Sequence, residues 1–373
     1  MALCLPLAIA LCSCEKDTLT GSNGSGVTGG GSSTNGGGSG KQPVRLTTVK
    51  YKKYYSNYTL QYTGGSYDYT SFQYSNGYWS SVSYGGGESD GDLYEEGGNF
   101  VVNYDNNGHI TGYTSGGQTN PLDITYDNDG HVTRVYSTWT DSEGSGWDLQ
   151  TYTWENGVLT RYTSQSSDDN ETRVTTYEWE NGNLVREERV RSSYRETTTY
   201  IYDNHPSYMS GMREDIKLMI NEGPESLSKN NVIRETETTV YNDDGRTYTY
   251  TYNYVYTYGN DGYPISYKRT ENNNHDDGYY TDYDRTTYIQ YGDGSGATAP
   301  TMYYIGTGNT NGFDSYYVNG KGWYASNAMV MLYAYEYYGY RFDHWQDGNT
   351  SNPRTFICTG NATYTATYTN NNR

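Results

Sequence analysis

Phenylalanine is nearly missing from this chain, with 5 copies in 373 residues, and leucine and isoleucine are few. Only 33% of residues are hydrophobic even when tyrosine is counted, so a core of ordinary aliphatic side chains is not on offer. Cationic side chains are also short: 25 Lys+Arg stand against 44 Asp+Glu, a net charge of −19. That balance argues against nucleic acid or anionic lipid headgroups as direct partners, because both are held by basic patches. Cysteine is confined to Cys4, Cys12, Cys14 and Cys358. Once the first residues are set aside, Cys358 has no partner for an intramolecular disulfide and reads as a small core side chain. Catalytic signatures are missing too: there is no His-Glu-x-x-His and no phosphate loop.

Tyrosine fills the gap, with 48 copies. Tyrosine and threonine favour strands, while 45 glycines together with Asn and Asp punctuate turns. The fold class is therefore all-β. The extreme case is Thr247–Tyr258, which alternates tyrosine with Thr, Asn and Val. As a strand it places Tyr248, Tyr250, Tyr252, Tyr254, Tyr256 and Tyr258 on one face. That face is either the core side of a sheet or an exposed aromatic surface. Because tyrosine stands in for the missing Leu and Ile, the rings are expected to pack first, with Tyr248 and Tyr258 at the strand ends as candidate ligand contacts.

The chain begins with an address. Met1–Ser13 is mostly apolar, too short to span a bilayer, and ends in Leu11-Cys12-Ser13-Cys14. This resembles a bacterial lipoprotein signal with its lipobox, which implies cleavage before Cys14 and a lipid on that thiol. No Lys or Arg precedes the apolar run, a departure from such signals. Glu15-Lys16-Asp17 is similar to the charged export signals of Bacteroidota surface lipoproteins, and Asp17-Thr18-Leu19 to that phylum's O-glycosylation motif, with Thr18 as the acceptor. Thr20–Gly40 is almost wholly Gly, Ser, Thr and Asn, a flexible tether reaching about 25 Å. The expected organisation is a signal at 1–13, a lipidated cysteine and linker at 14–45, and folded sequence from 46. The implied location is the outer membrane, at the cell surface, with its periplasmic face as the alternative.

From Leu46 to Tyr291 strand-like runs alternate with turns that echo one another. Tyr104-Asp105-Asn106-Asn107-Gly108-His109-Ile110 is answered by Tyr126-Asp127-Asn128-Asp129-Gly130-His131-Val132. Trp154-Glu155-Asn156-Gly157-Val158-Leu159 and Trp179-Glu180-Asn181-Gly182-Asn183-Leu184 follow, and a later copy runs from Tyr258 through Gly262. Asn-Gly and Asp-Gly supply the positive φ of tight hairpins, and the preceding carboxylate caps turn amides. The spacing fits one hairpin and its return per unit. These units resemble the tyrosine-aspartate repeats of bacterial surface and toxin shells, and a family of Bacteroidota lipoproteins built from similar hairpins. The expectation over 46–297 is an antiparallel β-hairpin repeat sheet, extended or partly closed as a barrel.

Asp127-Asn128-Asp129-Gly130 lacks the alternating oxygens and terminal Glu of a calcium loop and reads as a turn. His109 and His131, at equivalent places after their turn glycines, are expected to face solvent, and no Cys or third His joins them as metal ligands. No metal, cofactor or catalytic residue is assigned. A break falls at 205–231, where Met212, Ile216, Met219 and Ile220 have helical spacing before Gly223-Pro224. This reads as a short helix or long loop packed on the sheet or plugging one end of it.

After Gly296 the pattern changes. Val330-Met331-Leu332-Tyr333-Ala334, Tyr340-Arg341-Phe342-Asp343-His344-Trp345, Asp347-Gly348, Asn352-Pro353 and Tyr364-Thr365-Ala366-Thr367-Tyr368 follow in order. The series resembles the B-repeat of internalin surface proteins, the divergent bacterial repeat domain, except that Glu336 stands where that family often has proline. The resemblance implies a small β-domain over 298–373 that serves as a spacer or adhesive module. By alternation Val330, Leu332 and Ala334 share a face, and Trp345 closes the core.

The leading functional expectation is a non-catalytic, lipid-anchored envelope protein that binds an extracellular glycan or protein. A passive scaffold and a glycan hydrolase are the second and third.

Overall fold

The computed structural model describes residues 40–115, 117–140, 144–219, 224–272, 280–312, 314, 317–336 and 338–370. The signal, Cys14, Thr18 and nearly all of the tether lie outside the described residues, as do Ile220 and Gly223.

Seventeen strands form one antiparallel sheet. They are β1 (Pro43–Ser56), β2 (Thr59–Ser75), β3 (Tyr78–Gly87), β4 (Leu93–Tyr104), β5 (Ile110–Ser115), β6 (Gln118–Pro121), β7 (Asp123–Tyr126), β8 (Val132–Thr140) and β9 (Ser145–Glu155). The wall continues with β10 (Val158–Ser166), β11 (Asp169–Glu180), β12 (Asn183–Val190), β13 (Tyr194–Pro206), β14 (Asn230–Tyr241), β15 (Thr247–Tyr258), β16 (Pro264–Asn272) and β17 (Tyr280–Tyr291). Each pairs with its neighbours in sequence, and β1 pairs with both β2 and β17. The sheet therefore returns on itself as an up-and-down barrel, with β6 and β7 as two halves of one strand bent at Leu122. Sheet closure removes the exposed edges that so long a meander would otherwise present. β1 starts at Pro43, three residues inside the segment read as linker.

The turns at one end, here the lower end, carry the sequence consensus, and their geometry explains it. Asp105 Oδ1 accepts from the amides of Asn107 and His109 at 2.8 and 2.9 Å, and Asp127 does the same for Asp129 and His131 at 2.9 Å each. The Asp127 run is thus an ordinary turn. The shorter loops place Asn156-Gly157 and Asn181-Gly182 at positive φ, 54° and 76°, then 52° and 79°. A register shift beside the aromatic that precedes the turn recurs at Tyr74, Tyr104, Tyr126, Trp179 and Tyr258. Such bulges re-aim a side chain.

Most of these aromatics bind the preceding hairpin at the second residue after its turn glycine, whereas Tyr74 donates to the Pro43 carbonyl and Tyr258 to Asp203. Tyr104 Oη donates to the Trp79 carbonyl (2.7 Å), Trp154 Nε1 to Val132 (2.8 Å), Trp179 Nε1 to Leu159 (2.6 Å) and Tyr291 Oη to Pro264 (2.7 Å). At Tyr126 the direction reverses, the Ile110 amide donating to the hydroxyl at 3.2 Å. The side chains at the bonded positions are buried: Trp79, Ile110, Val132 and Leu159 are each 2% exposed or less. One consensus thus supplies the turn, an apolar side chain and a hydrogen bond to the next hairpin.

The insertion between β13 and β14 enters the barrel at this end. It holds a short helix, α1 (Glu214–Met219), and a 3-10 turn at Pro224–Leu227. Met209, Met212 and Ile216 are buried among Phe72, Val82, Phe100, Val102, Ile110 and Leu122. It is therefore a plug, as one of the two sequence readings had it. Ser228 stands in for the rung that the insertion interrupts: its Oγ accepts from the Leu184 amide at 3.0 Å and donates to Tyr202 Oη at 3.1 Å. His131 departs from expectation. Its ring stacks on Trp154 at 4.3 Å and its Nδ1 lies 2.7 Å from Glu214 of the plug, so contact with α1 replaces solvent.

Seven further strands follow: β18 (Met302–Asn309), β19 (Val318–Asn319), β20 (Gly322–Ala325), β21 (Met329–Ala334), β22 (Tyr340–Trp345), β23 (Arg354–Ile357) and β24 (Ala362–Asn370). They form small sheets around a second core in which Val330, Leu332, Ala334, Trp345, Cys358 and Ala366 are at most 1% exposed. This unit sits on the outer wall of β1–β3, where glycines let it come close. A Cβ on Gly65 would lie 2.0 Å from the Trp323 carbonyl, and one on Gly87 2.6 Å from the Trp323 ring. Tyr324 Oη donates to the Thr63 carbonyl at 2.8 Å, and Tyr51 Oη accepts from the Ala325 amide at 3.0 Å.

Two variants and one control test these contacts. Trp179→Phe keeps an aromatic but smaller side chain and strands the Leu159 carbonyl, and should lower stability by about 1–3 kcal/mol in urea titration. Thr251→Ala on the outer wall should stay within about 0.5 kcal/mol. Gly65→Ala forces backbone apart across the docking contact and should expose the connection around 297–301 to limited proteolysis while barrel circular dichroism is retained.

Candidate binding mouth

The plug identifies the inner face of the wall, since Leu46, Phe72 and Val82 pack with its residues. Cross-strand register carries that face around the barrel through Thr48, Thr287, Tyr267 and Tyr256. The whole tyrosine row of β15 therefore lines the interior. Its rings meet ionisable partners on adjacent strands: Tyr250 lies opposite Glu237, Tyr252 opposite Glu235 and Glu271, and Tyr254 opposite Arg269. Further round, Thr198 pairs with Glu187, and Glu196 with Arg189, which it holds at 2.7 Å. On this side of the barrel the interior wall is thus aromatic and ionic, in contrast to the aliphatic side chains packed against the plug.

The outer face is different. Thr251, Thr236, Thr199, Arg186 and Glu178 stand side by side on successive strands, and the next row holds Thr249, Thr238, Thr197, Glu188, Thr176 and Arg161. Arg186 bridges Glu178 at 2.6 Å and also Glu188, and Asp284 receives Lys53 and Lys268. A membrane barrel needs an outward apolar band, and a Lys or Arg at the bilayer midplane costs about 2–4 kcal/mol. These outer rows are polar and charged, with Val255 and Ile201 as exposed apolar residues among them. No helix among the described residues is long and apolar enough to cross a membrane.

Exposure along β15 grades from end to end. Tyr248 is 43% exposed and Tyr250 36%, whereas Tyr254 and Tyr256 are largely covered. The interior accordingly opens to solvent at the upper end, opposite the plug. Tyr254 Oη donates to Glu235 at 2.7 Å, and burial, reinforced by that carboxylate, drives its hydroxyl far above the ordinary phenol range. Tyr258, at the plugged end, donates to Asp203 and stacks on His205 at 3.9 Å. Of the two candidate contacts, Tyr248 stands at the open mouth and Tyr258 at its closed end.

Sequence reasoning missed a groove of about 330 Å³ at the upper rim, between the β1–β2 hairpin and the small unit. Tyr54, Tyr62, Tyr280, Tyr333, Tyr335 and Gln61 line it. Tyr54 stacks on Tyr62 at 4.3 Å, Tyr62 meets Tyr335 edge-on at 6.4 Å, and Tyr335 meets Tyr333 at 4.6 Å. Burial raises the Tyr62 hydroxyl well above its usual range, so it stays protonated and able to donate. These residues come from four separate stretches, and no local pattern joins them. The glycine runs Gly64-Gly65 and Gly85-Gly86-Gly87 in strand-like sequence were the available hint that another backbone comes close.

The lower end has a clasp that also had no sequence signal. Lys41 Nζ binds Asp261, Asp293 (2.9 Å) and Ser295 Oγ (2.7 Å), and lies over the rings of Tyr263 and Tyr291. The Gly211 amide donates to the Lys41 carbonyl at 3.2 Å. The chain therefore enters the barrel beside the plug, far from the open rim. Among the described residues no cluster of His, Cys, Asp and Glu is arranged to hold a metal ion.

Burial raises the carboxyls of Glu187 and Glu237, which the folded state prefers to protonate. A raised folded pKa gives stability that is present at low pH and lost as pH rises through that value. Lys217, pushed down to about 8 by burial in the plug, changes only above that value. Asp261, lowered first by its bond to Lys41, acts oppositely and only below the ordinary carboxylate range. Melting temperature should therefore rise as pH falls from neutrality toward the ordinary carboxylate range and drop again below that range. The pair Glu187→Gln and Glu237→Gln should flatten the upper limb.

No family model and no curated protein matches this chain. Solved structures do. A porin-like protein from Bacteroides uniformis is similar over 67% of this chain and 97% of its own, at 15% identity and a TM-score of 0.45. A porin-like protein from Bacteroides vulgatus is similar over 68% and 99%, at 11% identity and a TM-score of 0.33. A TcdB2–TccC3 structure is similar over 81% of this chain and 15% of its own, at 10% identity and a TM-score of 0.25.

Proposed function

We propose that this protein is a lipid-anchored envelope protein of the outer membrane, displayed at the cell surface, whose barrel stands in water and binds an extracellular glycan at its open end. The observation that carries this reading is the division of the wall, with tyrosines and ionised groups inside and threonine and ion pairs outside. A barrel of that composition dissolves in water and offers its chemistry through its mouth.

The layout supports the same reading. The chain enters beside Lys41 at the plugged end, while the tyrosine rim lies at the other end. From Pro43 to Tyr54 strand β1 runs for about 36 Å at ~3.3 Å per residue, tilted along the wall from the plugged end to the rim. A tether fixed to lipid at Cys14 would hold the mouth away from the membrane. The small C-terminal unit, proposed to be a bacterial repeat domain, forms one side of the rim and is placed to touch the ligand. Tyrosine suits that task because its rigid ring offers apolar area and a hydroxyl at little conformational cost.

Protease added to intact cells should cut within the Gly/Ser linker and release a folded fragment. Cys14→Ala should abolish membrane retention. Release only after lysis would overturn the surface placement.

A further inference from the structure

We infer that the rim groove is a built subsite for an uncharged glycan segment, held between the barrel and the small C-terminal unit. This inference rests on the binding function proposed above and names its site and ligand class.

The first reason is charge. The groove lies in a chain of net charge −19, yet the described residues that line it are tyrosine, serine, threonine and glutamine, and the charges felt at Tyr55, from Lys53, Asp282 and Asp284, are of both signs. A lining without cations inside a strongly negative chain disfavours anionic sugars. Among the described lining residues there is no carboxylate to hold a cationic ligand. The complementary ligand is neutral.

The second reason is ring geometry. Tyr54 and Tyr62 form one stack, Tyr55 and Tyr280 stack at 4.5 Å beside it, and Tyr333 with Tyr335 closes the third side. A pyranose ring presents electropositive C–H bonds on its faces and hydroxyls on its edge. The faces suit the negative face of a tyrosine ring, and the edge suits phenol hydroxyls and the Gln61 amide. At about 330 Å³ the groove lies at the lower end of ligand sites, which span roughly 300–1,000 Å³.

The third reason is that both walls are fixed before a ligand arrives. β21 is held against the barrel by the Met331 amide, which donates to Thr63 Oγ1 at 3.1 Å, and Tyr335 is anchored by its amide to the Tyr317 carbonyl at 2.8 Å. A preformed groove loses little freedom on binding. The docking glycines Gly65 and Gly87 thereby acquire a purpose, since they set the spacing of the two walls.

Affinity electrophoresis of the full-length protein tests this directly. The gels contain a neutral β-glucan, mannan or xylan, or acidic polygalacturonate or chondroitin sulfate. At least one neutral polymer should retard the protein and neither acidic polymer should. Tyr335→Ala, a partly exposed ring outside the small core, should weaken retardation at least tenfold with an unchanged melting temperature, and Tyr335→Phe should keep most of it. Retardation by the acidic polymers alone, by none of the five, or undiminished in a Tyr62→Ala, Tyr335→Ala double variant would overturn the inference. A protein that is shaved from intact cells yet shows none of this retardation leaves surface display standing and removes the groove. Glycan binding by a protein that shaving cannot reach does the reverse.

Discussion

The structure depends on one repeated contact, the bond from an aromatic side chain to the backbone two residues past the glycine of the preceding hairpin. Antiparallel neighbours already share ladder hydrogen bonds, but those fix only strand pairs. The aromatic contact joins one hairpin to the next at the lower end, where Trp154 reaches Val132 and Trp179 reaches Leu159. It also closes a buried carbonyl that would otherwise be unsatisfied, a loss of about 1–3 kcal/mol wherever it occurs. A chain so poor in Phe, Leu and Ile gains its cohesion by repeating this contact around a ring.

Other features follow from that contact. The contact is accompanied by a bulge beside the aromatic at Tyr104, Tyr126 and Trp179, and alternation along β15 puts its tyrosines on the same inner face. The outer positions are then free to be threonine and charge. At β13 and β14 the hairpin is replaced by a long insertion, and the contact survives only because Ser228 relays between Leu184 and Tyr202. The plug is therefore tied into the ring at the one place where the insertion interrupts it, and its Met209, Met212 and Ile216 provide apolar mass that the tyrosine wall lacks.

Local features of this fold were legible and long-range ones were not. Turn chemistry located the lower hairpins, because Asp-x-x-Gly and Asn-Gly act within five residues. Strict alternation bounded Thr247–Tyr258, and the same rule picked out Val330, Leu332 and Ala334 as one buried face. Closure through β1 and β17 joins residues more than two hundred positions apart, for which periodicity carries no signal. The same holds for Lys41 with Asp261 and for Tyr62 with Tyr335. His131 was misread because a position after a turn glycine is exposed only when no other element covers it, and here α1 does.

The two ends of the barrel now have distinct chemistry, and this gives the polarity of the molecule a physical basis. At the lower end Lys41 fastens the incoming chain to Asp261 and Asp293, which belong to the last two lower turns of the wall. Any pull on the tether is thus delivered to closed ladders and to the plug backbone rather than to a single free strand. At the upper end the tyrosine row loosens toward solvent, and the small unit is fixed beside it by close backbone contact at Gly65. Stiffness is concentrated where the chain is held and aromatic surface where it meets solvent. On the proposed reading, that division lets a largely polar barrel serve as both spacer and receptor.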